Sequence, residues 1–162
     1  MDIYQLFTEH GITYERHDHP AVYTVEESNR LVPPLKGAKT KNLFLRDKKG
    51  TQHLLVVVGH EKRVDLKGLS TLLGINKLSL ASPKRLEKFL GVEPGAVSIL
   101  GIVNDSETRV RCIVDESIWA SESIQCHPLV NTSTLVLYHT DLERLFQITG
   151  HQPEIHNIPS QE

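Results

Sequence analysis

A chain of 162 residues with 39% apolar and 23% charged residues can bury a core without help from disulfides or metals, and residues 1–162 read as one domain. Its two cysteines, Cys112 and Cys126, exclude a disulfide framework. No stretch approaches the roughly 18 apolar residues of a membrane span, and MDIYQLFTEH lacks a basic leader, so a cytoplasmic protein without membrane attachment is expected. The net charge of −2 conceals an asymmetry: residues 36–88 carry thirteen Lys/Arg against four acids, while both flanks are acidic. A basic middle third can present a local face to a polyanion even near overall neutrality.

In chain order, Asp2–His10 places Ile3, Leu6 and Phe7 on one helical face and stops at Gly11. Ile12–Arg16 alternates as a strand. Thr24 and Glu27 form a capping box for a short helix to Leu31, ended by Pro33 and Pro34. Strands Asn42–Arg46 and Gln52–Val58 flank the turn Asp47-Lys48-Lys49-Gly50, and the LLVVV run belongs in the middle of a sheet. Helices follow at Asp65–Leu73 and, from Ser82 with Pro83 at the first position, to Gly91. Further strands are expected at Lys77–Leu80, Ala96–Leu100, Arg109–Val114, Ser123–Cys126 and Thr134–Tyr138. A second capping box, Thr140 with Glu143, opens a last helix before Gly150. The class is α+β: a curved mixed sheet or barrel-like core with helices packed outside.

Common catalytic signatures are missing. His17-x-His19 has metal-ligand spacing without a third or fourth ligand nearby, and there is no H-E-x-x-H, G-x-S-x-G, P-loop or dinucleotide fingerprint. Cys126 and His127 are neighbours whose side chains diverge in a strand, so a Cys–His dyad would need another histidine such as His60 or His139. No metal and no organic cofactor is expected. Three segments instead place polar or backbone groups in apolar surroundings: Lys41-Asn42 opening KNLFLRD, then GVEPGAVSILGIVND, then CHPLVNTSTL.

Together with YTVEES, KRVDLKGLSTLLGINKLSLASPKRLEKF and the closing DLERLF, these segments resemble the YbaK and prolyl-tRNA synthetase editing-domain family, in its free-standing branch of alanyl-tRNA(Pro) deacylases. The likeness runs over nearly the whole chain. It implies an essential lysine at Lys41, a partner asparagine at Asn42, a backbone amide at Gly101 lining the reaction centre, and a site histidine at His127. Asn131 and Thr132 match the polar pair that follows, and Ser98 belongs to the substrate loop. Many relatives read Thr-Pro-Phe-Gly where this chain has Ser98-Ile99-Leu100-Gly101.

The implied reaction is hydrolysis of an aminoacyl ester on tRNA. Such an ester is already activated, so positioned water and stabilisation of the developing charge suffice without a strong nucleophile. Ala21–Thr24, the helix after it and the Ser98–Gly101 loop are the expected walls of a pocket that excludes proline by size. The implied partner is the acceptor end of tRNA(Pro), with prolyl-tRNA synthetase or an elongation factor as further partners, and the protein is expected to be a monomer. The alternatives are a cysteinyl-tRNA(Pro) deacylase of the same fold and a non-catalytic tRNA-binding or synthetase-associated module. Strand alternation places Lys41 on one side with Leu43 and Leu45, at the mouth of a core.

Overall fold

The computed structural model describes residues 2–32 and 34–161, and the strands form one eight-stranded mixed sheet. The elements are α1 (Ile3–Glu9), β1 (Glu15–Asp18), α2 (Val25–Leu31), β2 (Ala38–Arg46), β3 (His53–Gly59), α3 (Leu66–Leu73), β4 (Ser79–Leu80) and α4 (Pro83–Leu90). Two 3-10 turns follow, Pro94–Ala96 and Ile99–Asn104, then β5 (Val110–Asp115), α5 (Glu116–Trp119), β6 (Ser123–Cys126), β7 (Ser133–Tyr138), α6 (His139–Thr149) and β8 (Pro153–His156). The strand order is β1-β7-β6-β2-β3-β5-β8, with β4 paired to β2. The class is α+β, as expected. No helix among the described residues is long and apolar enough to cross a membrane.

The LLVVV run explains the two-sided core. Residues 53–58 are all buried in β3, which pairs antiparallel with β2 and parallel with β5. Alternation sends Leu55 and Val57 into a large core with Phe7, Leu86, Phe89 and Leu145. It sends Leu54, Val56 and Val58 into a smaller one with Leu69 of α3, Leu78 and Ile158. A strand covered on both faces has no polar side to show, so its sequence is continuously apolar.

β2 is the pivot of the sheet. Ala38 and Lys39 pair in parallel with Ile124 and Gln125 of β6. From Thr40, opposite Gly59, to Arg46, opposite His53, the strand pairs with β3, and its far end also carries β4. β2 and β6 therefore part after Lys39 and Gln125.

Thr24 caps α2 as expected, its hydroxyl oxygen accepting from the Glu27 amide at 3.0 Å; Pro33 lies outside the described residues. Several expectations are corrected. Ala96–Leu100 is not a strand: Pro94 opens one 3-10 turn, and the Ser98 hydroxyl caps the next by accepting from the Leu100 amide at 3.2 Å. Ile99, Leu100 and Ile102 are all buried there, so period alone could not tell this run from a buried strand. The expected Lys77–Leu80 strand shrinks to two residues, since Lys77 takes a left-handed φ of 51°. The first strand lies later than Ile12–Arg16, at Glu15–Asp18, because the Ile12 amide folds back onto the Phe7 carbonyl. The Thr140–Glu143 box does not form: α6 starts at His139, Glu143 pairs with that ring at 2.8 Å, and Asp141 instead accepts from the Thr13 amide and hydroxyl. Helix α5 and strand β8 carry weak local signals and were not anticipated.

One buried, hydrogen-bonded carboxylate anchors the turn into β5. The Asp105 carboxylate accepts from the amides of Arg109 (3.0 Å) and Val110 (2.8 Å), and lies 2.8 Å from Nε2 of buried His151. Asp105→Ala strands two amides and the ring, so urea unfolding should show a loss of about 3 kcal/mol. Unchanged stability would contradict this role.

Candidate active site

Where β2 and β6 part, a cleft of about 220 Å³ opens. Thr40 and Asn42 of β2, Cys126 and His127 at the end of β6, and Thr134 of β7 line it. It is closed by Val22–Thr24 and by Pro94, Gly95 and Val97, two segments that meet where the Tyr23 ring packs against Gly95. Lys39, Lys41 and His60 supply its basic side.

Asn42 makes no side-chain hydrogen bond among the described residues, and its Oδ1 is buried without a partner. A buried amide oxygen left unpaired is destabilising unless a ligand donates to it. Two residues earlier on the same face, the Thr40 hydroxyl is used up on the Gln125 carbonyl at 2.5 Å, bridging the strands just where they separate. Lys41 lies in the next pleat. Its ammonium donates to the Lys62 carbonyl, while the Lys62 side chain is clamped by buried Asp115 at 2.7 Å. Partial burial, and then the charge of Arg63, hold the Lys41 amine below its ordinary pKa.

His127 Nδ1 lies 3.1 Å from the Ser133 carbonyl. A carbonyl only accepts, so Nδ1 carries the proton and Nε2 is left as an acceptor. Burial lowers the pKa of this ring; the Ser133 bond opposes the shift and His19 reinforces it. The shift favours the neutral ring. His19 is spoken for: its two nitrogens lie 2.8 Å from the Pro20 carbonyl and from the Thr134 hydroxyl. His17 instead approaches Glu15, so the two rings of the H-x-H do not converge. Cys126 is buried and its thiol is pushed up to about 12, which leaves it protonated and unreactive.

Residues 19–145 match the aminoacyl-tRNA editing domain, a stretch that contains every residue lining the cleft. The chain belongs to that family. It is 40% identical over 139 residues to the prolyl-tRNA editing protein ProX of Acetoanaerobium sticklandii, covering 86% of this chain and 85% of that protein. It is 39% identical over 140 residues to prolyl-tRNA synthetase associated domain-containing protein 1 of Danio rerio, covering 85% and 76% of the two chains. A crystal structure described as a candidate trans-editing enzyme for prolyl tRNA synthetase superposes with a TM-score of 0.71 at 18% identity, covering 99% of this chain and 96% of the other. The editing-domain fold is shared, and the protein is an aminoacyl-tRNA deacylase.

Within this editing domain the structure gathers Lys41, Asn42 and His127 around one cleft. Gly101 and Ser98 do not line it. The Gly101 amide donates to the Ser98 carbonyl at 2.9 Å inside the 3-10 turn, and a side chain there would run into Leu90. Ser98 is fully buried as the cap of that turn. Asn131 stands just behind the cleft: its Nδ2 donates to the Val22 carbonyl at 3.1 Å and its carbonyl accepts from the Val22 amide at 3.3 Å, pinning the Val22–Tyr23 wall. Exposed Thr132 accepts from the His19 amide through its backbone. The expected wall at Ala21–Thr24 is occupied by Val22–Thr24, but its counterpart is Pro94–Val97 rather than Ser98–Gly101. Gly95 and Thr134, which also line the cleft, were not named from the sequence. The Pro94-Gly95 dipeptide, inside the segment already singled out, was the available signal.

Proposed function

We propose that this deacylase acts in trans on mischarged tRNA(Pro) and that its preferred substrate is alanyl-tRNA(Pro). The observation that carries this reading is the likeness to the prolyl-tRNA editing protein ProX across 86% of the chain; a cleft of about 220 Å³ of the kind a small amino acid fits is consistent with it. The ester enters with its amino acid between Tyr23 and Gly95 on one side and Asn42 and His127 on the other. Asn42 Oδ1 accepts from the substrate's α-ammonium. The Gly95 amide, which has no acceptor among the described residues, donates to the carbonyl oxygen as it gains charge. Lys41 supplies positive charge beside the ester or the terminal phosphate, exchanging its bond to the Lys62 carbonyl for one to the substrate. His127 Nε2 accepts from the attacking water and so orients it. Contact of proline's larger ring with the Tyr23–Gly95 wall sets the selectivity.

The test is a deacylation panel of alanyl-, cysteinyl-, seryl- and prolyl-tRNA(Pro). Alanine should be released fastest and proline spared; equal cleavage of prolyl-tRNA(Pro) would overturn the reading, and a preference for cysteine would replace its substrate. Asn42→Ala should raise KM about tenfold with kcat little changed, since its bond to the ammonium is present in ground and transition states alike.

The two lowered pKa values set the pH dependence. Protonating His127 removes its acceptor, so kcat/KM should fall as pH drops through a midpoint below 6.5, the ordinary histidine value. Deprotonating Lys41 removes its charge, so activity should fall again on the alkaline side, with a midpoint below 10.5. A profile whose acid limb is unchanged in His127→Gln would contradict the assignment.

A further inference from the structure

The far end of β2 carries a second feature that the cleft does not use. The β2–β3 turn, which carries Arg46, Lys48 and Lys49, meets α4, which carries Arg85 and Lys88, through Arg85. Arg46 Nη2 donates to the Lys48 carbonyl at 3.0 Å, and Arg85 Nη1 donates to the Gly50 carbonyl at 3.2 Å and to His53 Nε2 at 2.9 Å. The two guanidinium groups converge over Gly50, where a Cβ would lie 3.1 Å from Arg46 Nη2 and 2.8 Å from Arg85 Nη2. Lys88 sits over the Phe89 ring, which itself lies tilted against His53 with ring centres 4.1 Å apart.

Among the described residues none of these five cations forms a salt bridge. The acid of the turn, Asp47, is buried and spends its oxygens on the Thr51 and Gln52 amides and the Thr51 hydroxyl, and Glu87 of α4 forms no salt bridge among the described residues. Arg46 and Arg85, brought together over Gly50, repel one another, and a bound polyanion relieves that repulsion. The direction is suitable too: Arg46 lies on the same face of β2 as Asn42, four residues and about 13 Å further along the strand.

We propose that this face, built from Arg46, Lys48, Lys49, Arg85 and Lys88, binds the phosphodiester backbone of the RNA whose 3′ end occupies the cleft. The proposal rests on the reading of the cleft as a tRNA-ester site. Planar guanidiniums already oriented by backbone carbonyls keep further N–H donors for phosphate oxygens, and the flanking lysines add charge without sequence preference.

The experiment measures binding of uncharged tRNA(Pro) as a function of salt for wild type, Lys48→Gln/Lys49→Gln/Lys88→Gln, and a control Lys36→Gln/Lys67→Gln. Substitution of the exposed lysines leaves the bonded arginines and the hairpin intact. The triple variant should bind about tenfold more weakly at low salt, with the slope of log K against log salt reduced by about 2, while the control keeps the wild-type slope. Hydrolysis of alanyl-adenosine, which fills the cleft without reaching the face, should stay at the wild-type rate. Wild-type affinity and slope in the triple variant would overturn the proposal. So would an RNA slope that is unchanged while capture by immobilised polyglutamate is lost, since the face would then read an acidic polypeptide. The cleft reading fails separately, if wild-type protein leaves alanyl-tRNA(Pro) intact.

Discussion

Lys41→Ala should lower kcat/KM for alanyl-tRNA(Pro) by about a hundredfold or more while the fold survives. A charge aimed at a developing oxyanion or phosphate in a partly dry cleft is worth roughly 3 kcal/mol of transition-state stabilisation. The stability change should be small by comparison, because the lost hydrogen bond is to a carbonyl near the surface and contributes about 1 kcal/mol. Lys41→Arg separates a charge role from a tether role. Arginine retains the charge and can still reach the Lys62 carbonyl, but it cannot reproduce a compact ammonium in this space. Activity should therefore stay low while thermal stability recovers. Full activity in Lys41→Ala would remove the lysine from the chemistry and leave it as a strap on the Lys62 carbonyl.

Gly95→Ala should be nearly as damaging, for a steric reason. Its Cβ would lie 3.0 Å from Cδ1 of Tyr23 and 3.3 Å from Nδ2 of Asn131. One methyl group thus pushes on the wall of a small cleft and on the amide that pins it. The expected result is a loss of about tenfold to a hundredfold in kcat/KM, with the circular dichroism spectrum unchanged. Gly101→Ala is the informative contrast: its Cβ would press on Leu90 at 3.1 Å, inside the core. It should lose about 1 to 3 kcal/mol of stability by overpacking and keep its kcat at temperatures where it is folded. The reverse pattern would return the oxyanion role to Gly101.

The contrast between these glycines shows what was legible before the structure. Elements with strong periodicity and caps were readable: the apolar LLVVV, Ser123–Cys126, the Asp65 and Ser82 helix starts. Lys41, Asn42 and His127 were found through the resemblance and do come together at one cleft. Gly101 and Ser98, expected at the site, lie outside the cleft, and the sequence did not show this, because an Ile-Leu-Gly-Ile run buries equally well as a strand or as a 3-10 turn. The Thr140–Glu143 capping box had the right spacing and the wrong partners, since Asp141 is claimed by Thr13, which is 128 residues away in sequence. The cleft itself arises from one strand changing partners between Lys39 and Thr40, which no local pattern encodes.

Alternation also changes the emphasis within the Lys41-Asn42 pair. Lys41 shares its side with Leu43 and Leu45, which pack toward the smaller core, whereas Asn42 shares its face with Phe44 of the larger one. The asparagine therefore presents the unpartnered group, and the lysine reaches the site from its basic side.

The most direct test follows the side-chain amide of Asn42 and the backbone amides of Gly95 and Gly101 by NMR during titration with 3′-alanylamino-adenosine, a non-hydrolysable amide analogue of the ester. Saturable shifts at Asn42 and Gly95, with Gly101 unmoved, are the expected result. Binding that shifts Gly101 and leaves Asn42 and Gly95 untouched would place the reaction outside the cleft between β2 and β6.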